Sequence, residues 1–78
     1  MAQIDLNHMD RIEKQRNTIH EKVYTTYTVF EHDGNKYVQL DTYGRVGREI
    51  PGKISQSIQL DRETAVYLVE LLKAEFML

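Results

Sequence analysis

The chain has 78 residues, with 10 Lys/Arg against 12 Asp/Glu and hence a formal net charge of −2. It is 41% hydrophobic, too rich in Val, Ile, Leu and Tyr for a disordered polymer, yet no apolar run approaches the roughly 20 residues that span a bilayer. The absence of cysteine excludes disulfides, thiol catalysis and cysteine zinc sites.

A single domain spanning 1–78 is expected, with 1–20 as a weakly structured arm or short helix, 21–60 as antiparallel strands and 61–77 as a C-terminal helix. The opening residues Met1-Ala2-Gln3-Ile4-Asp5-Leu6 lack a basic patch followed by an apolar stretch. No signal peptide is therefore expected, and the expected location is cytoplasmic. A monomer of this size buries only about 60% of its unfolded surface, so dimerisation is an expected way to enlarge the core.

In the arm, Asp5 is placed to cap a short helix with Met9 and Ile12 on one side, while charged residues dominate the remainder. Val23 to Phe30 reads Val-Tyr-Thr-Thr-Tyr-Thr-Val-Phe, entirely β-branched or aromatic, and predicts a strand. Its alternation puts Val23, Thr25, Tyr27 and Val29 on one face and Tyr24, Thr26, Thr28 and Phe30 on the other. His32-Asp33-Gly34-Asn35 follows as a turn in which Gly34 or Asn35 takes positive φ, and Lys36 to Thr42 is the return strand of a hairpin.

Residues 43–53 form a loop holding three of the four glycines and the only proline. Ile54 to Leu60 alternates again. Ile54, Ile58 and Leu60, with Gln56, are expected to point inward, and Ser55, Ser57 and Gln59 toward water. Asp61 is placed to cap a helix from Arg62 to Phe76. One row of that helix carries Ala65, Leu68, Val69, Leu72 and Phe76; a second carries Tyr67, Leu71, Ala74 and Leu78. The first row is expected to pack on Val38, Leu40, Ile54, Ile58 and Leu60, and the second to need a partner. The fold class is thus α+β: a small antiparallel sheet, a hairpin plus one or two further strands, packed against a C-terminal amphipathic helix.

No residues assemble into catalytic chemistry. His8, His20 and His32 are scattered, and no nucleophile elbow, phosphate loop or dinucleotide fingerprint occurs. Asp41 is better suited to holding Arg45 or Arg48 than to acting as a base, since nothing supplies a pocket and a second group. The expectation is a non-enzyme with no cofactor, no metal and no membrane partner.

Local charge is more informative. Between Thr42 and Leu60 the bases Arg45, Arg48 and Lys53 face a single acid, Glu49, whereas the segment from Asp61 onward carries a charge of −2. Cations beside exposed rings suit a single strand, whose phosphates they neutralise while bases stack. Arg45, Arg48, Lys53, Tyr37 and Tyr43 are the candidate nucleic-acid-binding residues, with Tyr24 a further candidate ring. Gln39, Ser55, Ser57 and Gln59, expected to point outward, are candidate hydrogen-bonding groups. The alternative is a protein–protein interaction or subunit module with no nucleic-acid role, using the exposed edge of Val23 to Phe30.

Lys36-Tyr37-Val38-Gln39-Leu40-Asp41-Thr42-Tyr43, a basic loop, Gly52-Lys53-Ile54-Ser55-Gln56-Ser57-Ile58-Gln59-Leu60 and an Asp-capped helix resemble, in layout, the transcriptional positive cofactor 4-type single-stranded-DNA-binding domain over about residues 23 to 77. The resemblance implies a homodimer joined partly through the helix and a sheet surface that binds unpaired strands. Such domains place four strands before the helix. Three are readable here, and a fourth would come from Thr18 to Lys22 or from the first six residues. Asp41-Thr42-Tyr43-Gly44 and Ser55-Gln56-Ser57-Ile58-Gln59 also resemble pieces of small uncharacterised bacterial proteins. Some of those carry a formyltransferase-like label, but 78 residues offer no folate or formyl-transfer site.

Overall fold

The computed structural model describes residues 1–44 and 52–78. Its elements in chain order are β1 (Ala2–Gln3), a 3-10 turn at Leu6–His8, β2 (Thr25–His32), β3 (Asn35–Tyr43), β4 (Ile54–Leu60) and α1 (Arg62–Phe76). The strands form one sheet in the order β1-β4-β3-β2, and the α+β class is as expected. The sheet is mixed and not purely antiparallel, because β1 joins β4 in parallel, with Ala2 opposite Ile58 and Gln3 opposite Gln59. The fourth strand therefore comes from the first six residues. Asp5 does cap the turn after it, accepting from Asn7 N–H at 3.0 Å, but the helix it starts is a single turn.

The hairpin closes through Asp33 and Gly34, with His32 paired to Asn35. Both turn residues have positive φ, 51° at Asp33 and 80° at Gly34. That is the signature of a type I′ turn, whose twist matches the flanking strands. Asp33, not Asn35, thus accompanies Gly34 in the left-handed region. The tight closure also carries β2 on to His32, two residues past the expected end.

Strand β4 and helix α1 have the expected bounds. Asp61 caps α1 by accepting from Thr64 N–H at 2.8 Å. At the other end Met77 adopts the left-handed conformation, and Leu78 N–H donates to the Lys73 carbonyl at 3.0 Å. The Met77 N–H donates to the same carbonyl, so two N–H groups at the end of the chain close the helix on Lys73.

Packing departs from expectation in one respect. No hydrophobic side chain among the described residues is fully buried; the buried ones are Asp41, Ser57 and Thr64. Burial of α1 is confined to its first two turns, at Thr64, Ala65 and Leu68, and every residue from Val69 onward is exposed. Leu72 is 45% exposed and Phe76 70%, while Leu40 and Ile58 in the middle of the sheet are 38% and 39% exposed. The helix row therefore meets the sheet rows expected beneath it only at its start, where Ala65 shares a cleft with Val38 and Leu60. Near the helix end the arm makes one cross-link, Arg11 to Glu75 at 3.5 Å. Both groups are solvated, so the pair contributes little to stability.

Candidate nucleic-acid interface

Register and alternation sort the sheet into two different faces. On one, Tyr27, Leu40 and Ile58 form a row across β2, β3 and β4, and Val29, Val38 and Leu60 form the next. On the other, Thr26, Asp41 and Ser57 line up, followed by Thr28, Gln39 and Gln59, then Phe30 opposite Tyr37. The β3–β4 register breaks between Thr42 and Tyr43, so that Tyr43 pairs with Ile54. This shift removes Ile54 from the alternation that joins Ile58 and Leu60, correcting its expected placement.

The second face is polar in the middle and aromatic at both ends. Asp41 Oδ1 accepts from Ser57 Oγ at 2.5 Å and from Gln39 Nε2 at 2.9 Å. Gln39 Oε1 in turn accepts from Gln59 Nε2 at 2.8 Å. Ser57, expected to face water, is instead 6% exposed, as is Asp41. Short polar side chains sit directly opposite one another on central strands here, and longer neighbours shield them while they satisfy each other. Among the described residues Asp41 is held by Ser57 and Gln39. Its expected partners, Arg45 and Arg48, lie outside the described residues.

At one end of this row the rings of Tyr24 and Tyr43 are 5.5 Å apart and tilted by 53°. The Tyr43 hydroxyl lies 3.2 Å from Thr26 Oγ1, which places its ring on this face despite the register break. At the other end Phe30 and Tyr37 stack, 5.5 Å apart with 21° between planes. Tyr37 and Tyr43 are thus brought to one face, separated by about 20 Å along β3 at the usual strand rise. Phe30 joins the site although the linear sequence does not mark it. Counting back from the Asp33-Gly34 turn pairs it with Tyr37, so hairpin register is the signal for it.

Among the described residues one cationic group stands at the Tyr43 end of this face. Lys53 is exposed just before Ile54, the partner of Tyr43. Near Tyr37 a cleft of about 690 Å³ between the start of β3 and the start of α1 brings Lys36 and Arg62 beside Asp61 and Glu63, but it opens toward Val38, Leu60 and Ala65, and alternation puts Lys36 on the face of Val38 and away from the aromatic one. Lys36 and Arg62 have no prominence in the linear sequence, where they belong to different elements far apart; the fold assembles them.

No family model, curated protein or solved structure matches the chain. The geometry of the chain itself therefore carries its functional reading. Among the described residues no group of three or more His, Cys, Asp or Glu side chains is placed to hold a metal ion, and no helix is long and apolar enough to cross a membrane. The Asp61 carboxyl is lowered from its ordinary value by the nearby Thr64 side chain and by the Thr64 N–H, of which the N–H makes the hydrogen bond. That is the electrostatics of a helix cap and involves none of the aromatic face.

Proposed function

We propose that the chain is a homodimeric, non-catalytic module that binds single-stranded nucleic acid across the Tyr24/Tyr43 and Phe30/Tyr37 face. The observation that supports this most is the arrangement of that face: two aromatic pairs, one at each end of an amide and hydroxyl row, on a continuous sheet surface. Bases stack on rings whatever their identity, and amides complete hydrogen bonds to base edges. Lys53 supplies a cation near the Tyr43 end, and Arg45 and Arg48 follow Tyr43 in the sequence. Asp41, committed to Ser57 and Gln39, sits where bases and not phosphates would lie.

The test is fluorescence anisotropy of a labelled mixed-sequence strand of about 20 nucleotides, titrated with protein beside the matching duplex. Saturable binding that prefers the single strand and weakens with salt supports the proposal. Absence of binding even at low salt overturns it. The apolar sheet face, exposed at Tyr27, Val29, Leu40 and Ile58, then favours the second reading, an interaction or subunit module.

A further inference from the structure

Hydrogen bonds along the polar row of the aromatic face run in one direction. Ser57 Oγ and Gln39 Nε2 both donate to Asp41 Oδ1, and Gln59 Nε2 donates to Gln39 Oε1. A carboxylate accepts and cannot donate, whereas an amide can turn either end toward its neighbour. Asp41 therefore fixes Gln39 with its nitrogen toward the carboxylate and its oxygen toward β4. Gln59 must answer that oxygen with its own nitrogen. One buried carboxylate thus orients two half-buried amides that reach the surface. The row ends on Gln59 Oε1. Among the described residues no donor reaches that atom, although Gln3 stands opposite Gln59 on β1. The donors of the row are turned inward, its free end is an oxygen, and among the described residues no cation pairs with its negative charge.

We infer that this row selects bases bearing an exocyclic amine, cytosine and adenine, over uracil and thymine. Such selection presupposes the single-strand binding proposed above and names the bases that the face takes. The amine of cytosine or adenine brings two N–H groups to one corner of the ring, and acceptor oxygens of carboxylates and amides are the side-chain groups that meet it in duplex readout. Uracil and thymine offer one ring N–H with a carbonyl on either flank. Whichever way such a base docks, a carbonyl comes with the N–H toward a negatively charged row. Asp41 also keeps the amides from turning their nitrogens outward to meet it. Stacking is indifferent to this distinction, since every base has a π-face. The aromatic pairs at the two ends hold the strand, and the row between them reads it. Asp41 is a positioning residue in this scheme. It acts through Gln39 and Gln59 and touches no base.

Oligodeoxycytidine and oligodeoxyuridine strands of about 20 nucleotides are the probes. Their bases differ only in an amine exchanged for a carbonyl and in the ring proton beside it. Fluorescence anisotropy with each strand at the same low salt concentration gives the ratio of their dissociation constants. The expected ratio is at least about five-fold in favour of the cytosine strand, the low end of one well-made base contact. Gln59→Ala deletes the terminal oxygen, and Asp41→Asn puts a possible donor where the charge stood. Each should bring the ratio to within about two-fold, less than one base contact supplies. Should Asp41→Asn fail to fold, Gln59→Ala, at a half-buried position, carries the comparison alone. If the cytosine strand has no advantage while the mixed-sequence strand still binds, the selection is overturned and single-strand binding stands. A preference that survives the substitutions has another source and overturns the role of the row. If no strand binds even at low salt, the proposed function falls together with the selection.

Discussion

Ser57 and Asp41 stand directly opposite one another on adjacent central strands, and the Ser57 hydroxyl donates to the Asp41 carboxylate in the most shielded part of the sheet. A carboxylate at 6% exposure that loses one of its two donors keeps most of its desolvation cost and less of its compensation. Ser57→Ala is therefore expected to destabilise by about 1.5–3 kcal/mol, the usual worth of a hydrogen bond to a charged group. Urea denaturation at fixed protein concentration checks it. Gln59→Ala, one bond further from the charge, should cost less.

The two glycines among the described residues whose surroundings are open, Gly34 and Gly44, separate backbone strain from crowding. A Cβ at either position meets nothing within 4 Å, but only Gly34 has positive φ. Gly34→Ala should cost about 1–2 kcal/mol, the penalty of the left-handed region for a side chain. Gly44→Ala should be within about 0.5 kcal/mol of neutral. Equal urea midpoints for the two would contradict the turn geometry.

Met77 bears the same kind of penalty at the end of α1, with φ at 57°. Met77→Gly should raise stability by about 1 kcal/mol, provided the Leu78 bond to Lys73 is kept. A shift of the thermal midpoint in the opposite direction would mean that the methionine side chain contributes packing in the assembly.

The lowered Asp61 carboxyl gives a pH signature with a definite sign. Thr64 stabilises its ionised form, so the unfolded chain binds the proton more readily than the folded one. The cap contribution is complete above the unfolded value of about 3.9 and is lost as pH falls through the lower folded value. Asp61→Asn keeps a capping oxygen without the charge. The difference in stability between the two proteins should be constant near neutrality and should shrink in that acid window, followed by circular dichroism during urea titration.

Binding should dissect into stacking and charge. Phe30→Ala or Tyr43→Ala is expected to weaken a single strand roughly five- to hundred-fold, from about 1–3 kcal/mol per stacked base, with little change in salt dependence. Replacing Arg45, Arg48 and Lys53 together by Ala should flatten the slope of log affinity against log salt by roughly 0.7 for each phosphate no longer neutralised. An unchanged slope would remove those cations from the interface.

Sequence patterning resolves some elements of this molecule far better than others. The bounds of β4 and α1 are legible because alternation ends at Leu60, Asp61 supplies a capping carboxylate, and helical spacing begins at once. Local chemistry suffices for that. Which face of the sheet is shielded is not legible, because shielding at Ser57 depends on its partner Asp41, set by β3–β4 register. Alternation suggests that serines face water; cross-strand pairing decides otherwise. β1 escapes for a related reason, since Ala2 and Gln3 have no strand signal of their own and are held by Ile58 and Gln59. Of the site residues, Tyr37 and Tyr43 are found by type, whereas Phe30 enters through its cross-strand pairing with Tyr37.

The pairing of Ala2 with Ile58 also fixes an order of events in folding. The hairpin β2–β3 closes a two-residue turn, and β4 follows onto β3, but β1 must wait for a partner that lies 56 positions along the chain. Closing so long a loop for so few backbone bonds comes late and reverses first. Amide exchange at Ile4, which donates to the Gln59 carbonyl at 3.1 Å, should accordingly be fast, while the amides of β3 exchange slowly. The seam between the first residues and the last strand is thus expected to open before the rest of the sheet, baring the β4 edge.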